Sequence, residues 1–245
     1  IANNKKAYHD YFIEETYEAI EAIDTKDTEL LKEELGDVLM QVVFHALMEE
    51  EAGKFDFSDV ADGVCHKLII RHPHVFGNVV AADSDQVLKN WDAIKMETKA
   101  QKTQSEVMDS VSKALPALMR SQKVQKKAAK AGFDWEDISG ALDKVSEETE
   151  ELKQAIDNSS QEHCLEELGD LLFSVVNVSR FLDLDSEYAL TVACDKFIDR
   201  FKSVEFLASQ RGINMKEASL RQLDALWEEV KASRSQSSYS DEYNN

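Results

Sequence analysis

Glu15 and Glu18 stand three residues apart, as do Glu34 and Asp37, and the same spacings recur at Glu148 and Glu151 and at Glu167 and Asp170. Residues three or four apart share a helix face. Two such helices packed antiparallel across a short loop would gather each set of four carboxylates at one point. Anions so placed repel and raise one another's pKa unless a cation lies among them. An oxygen-only donor set suits Mg²⁺ or Mn²⁺ better than zinc. The plainer alternative for one set is a solvated acidic face. Three features weigh against it. Glu34 and Asp37 adjoin the apolar Leu35 and Val38; Gly36 and Gly169 sit mid-helix at a cost of about 1 kcal/mol each, where glycine permits close approach of backbone or ligand; and the pattern occurs twice. A di-iron oxidase would need Glu-x-x-His on two helices. None of the 6 histidines has a glutamate three residues before it, so they read as structural or surface groups.

The elements that must position these carboxylates are duplicated as well. EETYEAI at 14–20 is matched by EETEELK at 147–153, and EELGDVLMQVV at 33–43 by EELGDLLFSVV at 166–176. Both offsets are 133 residues (147 − 14 and 166 − 33), which marks a duplicated helix pair. Leu35, Leu39, Val42, Val43 and Ala46 in one copy, and Leu168, Leu172, Val175 and Val176 in the other, form a stripe at helical spacing expected to face a core. Thr28 and Ser160 are expected at or near N-caps. The periodicity predicts helices near 5–24, 28–51, 57–71, 84–103, 111–131, 138–157, 160–183, 186–211 and 216–233. Pro73 separates the third from the fourth, and a linker is expected near 103–111. The expected organisation is all-α, with domains at 1–105 and 106–232. Residues 233–245, polar and aperiodic, are expected to form a disordered tail.

Composition narrows the function classes. Only 8 Gly and 2 Pro occur in 245 residues, too few for a turn-rich sandwich or barrel. With 28 Lys+Arg against 48 Asp+Glu and a net charge of −20, the chain lacks the broad basic surface that nucleic-acid polymers or anionic membranes require. A small anionic ligand stays open if a metal bridges the charges. There is no long apolar run and no signal-like leader at the start. Cys65, Cys164 and Cys194 have no CxxC spacing, so they are expected to be reduced packing cysteines of a cytoplasmic protein.

EExxE followed by ExxD resembles the mark of the MazG family of nucleoside triphosphate pyrophosphohydrolases, within the all-α NTP pyrophosphatase superfamily. It occurs as Glu14-Glu15-Thr16-Tyr17-Glu18 with Glu34-Leu35-Gly36-Asp37, and as Glu147-Glu148-Thr149-Glu150-Glu151 with Glu167-Leu168-Gly169-Asp170. RHPHVF at 71–76, LPALMRSQKVQKKA at 115–128 and GFDW at 132–135 extend the similarity over nearly the whole chain. The resemblance implies two tandem MazG-like bundles, a homodimer, and Mg²⁺-dependent hydrolysis of NTPs to NMP and pyrophosphate. It implies Glu148, Glu151, Glu167 and Asp170 as metal ligands in the second repeat, with Glu147 in support, and Glu15, Glu18, Glu34 and Asp37 in the first. A triphosphate can meet carboxylates only through metal, which would polarise the phosphoryl oxygens and activate water.

The same resemblance assigns Lys196, Arg200, Trp227 and Lys231 to the nucleotide. Lys67/Arg71 and Trp91/Lys95 repeat these spacings in the first half. Taken alone, a tryptophan four residues before a lysine is also ordinary helix packing. Arg120, Lys123, Lys126, Lys127 and Lys130 form the most basic stretch, and the resemblance makes part of it, with Trp135, a nucleotide-contacting element. The first repeat's counterpart of GFDW would fall at −1 to 2, at or before Ile1 (132 − 133 and 135 − 133). The family carries a CPWD segment there, so the chain is expected to be truncated and the second site to be the main one. Base selectivity is expected to be broad. A helical dimerisation or regulatory module with vestigial metal sites is the alternative.

Overall fold

The structure is a computed structural model that describes residues 5–77, 103–158 and 160–241. Every regular element among them is a helix: α1 (Lys5–Thr25), α2 (Thr28–Glu51), α3 (Phe57–Arg71), α4 (Pro73–Phe76), α5 (Gln104–Asp109), α6 (Ala117–Lys130), α7 (Ile138–Asp157), α8 (Gln161–Phe181), α9 (Ser186–Gln210) and α10 (Leu220–Asp241). The protein is all-α. The chain divides into two compact units, residues 1–100 and 101–245.

In the first unit α1 and α2 form a helical hairpin. Its turn is Lys26 and Asp27: Lys26 adopts φ 58°, and the amides of Lys26 and Asp27 bond back to the carbonyls of Ile23 and Ala22, closing α1 on the left-handed residue that ends many helices. Asp27 then caps α2, its carboxylate accepting from the amides of Glu29 and Leu30 at 3.1 and 3.0 Å. The residue before Thr28 thus does the capping, because its side chain reaches the orphan amides of the first turn. A reciprocal capping box between Asp56 and Asp59 starts α3.

The second unit repeats the hairpin with α7 and α8, where Ser160 caps α8 through the His163 amide. Helix α6 lies on α8 and α9. Buried Gln122 and Gln125 on α6 donate to the carbonyls of Leu184 and Phe173, each at 2.7 Å. Val204, Ala208, Leu226 and Val230 form the core between α9 and α10.

Several expectations are corrected. Residues 104–109 are helical, started by a Thr103–Glu106 capping box; a Thr-x-x-Glu sequence initiates a helix where a linker was expected. The backbone of α10 continues to Asp241, since its last stretch holds no Gly or Pro to stop it. Cys65 and Cys194 are exposed and so do not pack a core. The apolar stripe is only partly inward. Ala46 and Val176 are buried, but Leu35, Leu39, Leu168 and Leu172 are about half exposed, because two helices cannot enclose both flanks of a broad stripe. The helix expected at 84–103, with Trp91 and Lys95, lies outside the described residues. No helix among the described residues is long and apolar enough to cross a membrane.

Candidate metal centre

The hairpins turn helical spacing into convergence. On α7, Glu148 and Glu151 share a face, and α8 crosses so that Glu167 joins them; one carboxylate oxygen from each lies within 4.8 Å of the others. Glu15, Glu18 and Glu34 form the corresponding set between α1 and α2, within the same limit. Asp37 and Asp170 fall outside these sets. Asp37 still raises the pKa of Glu18 and Glu34 by its charge, while Asp170 has an exposed side chain on the next turn of α8. Gly36 and Gly169 admit no close backbone among the described residues: a Cβ at either would meet nothing within 4 Å, which leaves space beside each cluster.

Electrostatics show what the clusters lack. Desolvation, then repulsion from Glu15 and Glu14, raises the pKa of Glu18. Desolvation, then the charges of Glu18 and Asp37, does the same at Glu34. In the second unit Glu151 is raised by desolvation and by Glu148 and Glu167. Such groups gain from a cation placed among them.

Glu148 is the most enclosed carboxylate, 4 % exposed. Its Oε1 pairs with Lys144 Nζ at 2.5 Å, and its Oε2 is buried without a hydrogen-bond partner. A buried carboxylate oxygen left without a donor is costly. With Glu151 and Glu167 it presents an all-oxygen set fitted to a hard divalent cation.

Lys144 went unnoticed in the sequence. Its signal was an i,i+3 and i,i+4 lysine–glutamate spacing to Glu147 and Glu148, ordinarily a surface pair. Glu147 accepts a second bond from the same ammonium at 3.0 Å, and the two carboxylates hold the lysine pKa well above its usual range.

The residues expected to meet nucleotide sit on other elements of the second unit. Lys196 and Arg200 lie on α9, Trp227 and Lys231 on α10. The Arg200 guanidinium is 5.8 Å from the centre of the Trp227 ring, which also meets Phe197 at 5.2 Å. Lys231 pairs with Glu228 at 2.9 Å. Trp227 packs on the α9–α10 core, so its helix-packing role is realised. Lys127 is half-buried on α6. Trp135 lines a cavity of about 430 Å³ with Phe133, Gln125, Phe173, Asn177 and Arg180. The GFDW loop is tied down there by Asp134, which accepts two bonds from Arg180, one of them at 2.9 Å.

The described residues form an α-helical scaffold with a carboxylate cluster in each of two similar hairpins, a donor set that could hold a hard divalent cation. Comparison with known proteins makes this specific. The chain matches the MazG nucleotide pyrophosphohydrolase domain over residues 3–76 and 137–205. It is 44% identical over 225 residues to a nucleoside triphosphate pyrophosphohydrolase of Escherichia coli K12, covering 90% of this chain and 85% of that protein. It is 46% identical over 221 residues to the nucleoside triphosphate pyrophosphohydrolase/pyrophosphatase MazG of Thermotoga maritima, covering 90% and 84%. A Mycobacterium tuberculosis nucleoside triphosphate pyrophosphohydrolase is 33% identical over 84% of this chain and 54% of its own length. The chain belongs to the MazG family.

Proposed function

We propose that this protein hydrolyses nucleoside triphosphates, deoxyribonucleotides included, between the α and β phosphates, releasing NMP and pyrophosphate, with its main site in the second repeat. The observation that carries this reading is the buried, unpartnered Glu148 Oε2 inside a three-carboxylate cluster, in a chain whose family and relatives bear that activity in their names. Glu148, Glu151, Glu167 and Asp170 would hold Mg²⁺, with Mn²⁺ as a substitute; Asp170 lies three residues after Glu167, on the same face of α8. The first repeat would use Glu15, Glu18, Glu34 and Asp37 as ligands in the same way, as a catalytically weaker or structural site.

Bound there, the metal supplies the charge that lets carboxylates approach a polyphosphate and polarises the phosphoryl group toward attack. The protein's own part is electrostatic and positional. Glu147, exposed beside the cluster, orients water. Lys196, Arg200 and Lys231 hold phosphate charge, and Lys127, Trp135 and Trp227 contact the rest of the nucleotide. Stacking on an aromatic face reads no base identity, which fits broad selectivity.

The half-exposed leucines of α2 and α8 support a homodimer in which a second copy covers these stripes. We place the enzyme in the cytoplasm, with its nucleotide substrates.

The test is ³¹P NMR of the protein with Mg²⁺ and a panel of NTPs, repeated for Glu148→Ala and Asp170→Ala. Pyrophosphate with NMP, lost in both variants, is the expected result. Orthophosphate with NDP would mean the wrong bond, and full activity in the double variant would overturn the site.

A further inference from the structure

We propose that Lys144 is a placeholder cation: its ammonium neutralises part of the second cluster's charge and competes with a divalent metal for Glu148, so that the two repeats take up metal with different affinities. This rests on the metal reading above. Three observations support it. The Lys144 ammonium bridges Glu147 and Glu148 at 3.0 and 2.5 Å. Glu148 offers the metal a second oxygen, buried and unpartnered, so carboxylate and lysine are not fully satisfied by each other. The offset of 133 puts Tyr11 at the corresponding place in the first repeat (144 − 133), where the side chain is uncharged and 54% exposed. The first cluster has the same three glutamates without that lysine.

A fixed positive charge beside a carboxylate cluster lowers its affinity for another cation, and the effect grows as the local dielectric falls. The first cluster is therefore expected to fill at lower metal concentration than the second. Lys144 acts through Glu148 and is a positioning residue.

The experiment is Mn²⁺ titration of the full chain without nucleotide, free Mn²⁺ being read by electron paramagnetic resonance. Glu18→Gln isolates the second cluster and Glu151→Gln the first. In the Glu18→Gln background, Lys144→Tyr should tighten Mn²⁺ binding on the order of tenfold, while Lys144→Arg should keep the original affinity. In the Glu151→Gln background, Tyr11→Lys should weaken binding by a similar factor. Unchanged or weaker binding in Lys144→Tyr overturns the placeholder role while leaving the metal reading standing. Absence of Mn²⁺ binding in both backgrounds overturns the two together. Should Lys144→Tyr fail to fold by circular dichroism, Tyr11→Lys, at an exposed position, decides alone: no loss of affinity there overturns the proposal.

Discussion

Replacing Glu148 by glutamine keeps the shape of the side chain and removes its charge, which separates a catalytic carboxylate from a structural ion pair. In the metal-free protein two terms act on that charge. It is attracted to Lys144 across 2.5 Å and repelled by Glu151 and Glu167 across at most 4.8 Å. Coulomb energies fall as the inverse of distance, so two repulsions across no more than 4.8 Å are together comparable to one attraction across 2.5 Å. The ammonium also keeps Glu147 at 3.0 Å, and a glutamine oxygen still accepts its hydrogen bond. Stability is therefore expected to change little: Tm should stay within about 4 °C of the parent, the span that ~1 kcal/mol covers in a chain of this size. Activity should respond very differently. Losing one anionic ligand of the proposed four is expected to reduce hydrolysis at least ~10²-fold, beyond the 10- to 100-fold typical of removing a group that merely supports a ligand. Thermal melts followed by circular dichroism, together with pyrophosphate release under saturating Mg²⁺, measure both. A Tm drop of about 10 °C with activity retained in the folded fraction would refute the reasoning, because Glu148 would then be a buried structural pair.

Ser160→Ala removes the α8 cap and should cost about 1 kcal/mol, seen as a Tm lowered by about 2–4 °C with little change in KM. Gly140→Ala would place a Cβ 2.8 Å from the Trp135 indole; the ring must leave its seat, and a shifted tryptophan emission with raised KM for NTPs should follow. Asp137 caps α7, and its bonds from the Ser139 hydroxyl and amide hold its pKa below the ordinary value of 3.8. Its contribution is in place above that value and lost as pH falls through the lowered one, so the gap in urea midpoint between the parent and Asp137→Asn should shrink from pH 7 to pH 3. Protons compete with metal for carboxylates whose pKa desolvation, then mutual repulsion, has raised, as at Glu18, Glu34 and Glu151. The Tm gain from Mg²⁺ should accordingly be larger at pH 7.5 than at pH 5.

The helices were legible because their signals are local. The stripes of α2 and α8, the Ser160 cap and the duplicated carboxylate spacings all depend on neighbours within two turns, and the structure sets each on the helix expected. The errors lie where a second element decides. Leu35 and Leu168 carry the apolar period of a core position, yet they are 54% and 46% exposed because no described residue of their own unit fully covers them. Gly36 and Gly169 permit close approach of backbone or ligand, and among the described residues no backbone comes near them. Thr103 and Glu106 spelled a capping box whose short helix has too little apolar period to stand out from a linker.

Lys144 shows the same boundary at the site itself. Its spacing to Glu148 is that of any exposed lysine–glutamate pair, which contributes little in water. What changes its meaning is α8, which crosses α7 and brings Glu167 within 4.8 Å of Glu148 and Glu151. That crossing leaves Glu148 enclosed and with one oxygen unpartnered. A solvated pair becomes a lysine held against a buried carboxylate. In the first hairpin the corresponding crossing instead encloses Glu34, 9 % exposed, and Tyr11 stands where the lysine would be. Two repeats that read alike in their EExxE and ExxD motifs thus differ in which carboxylate is enclosed and, among the described residues, in a lysine that lies outside either motif.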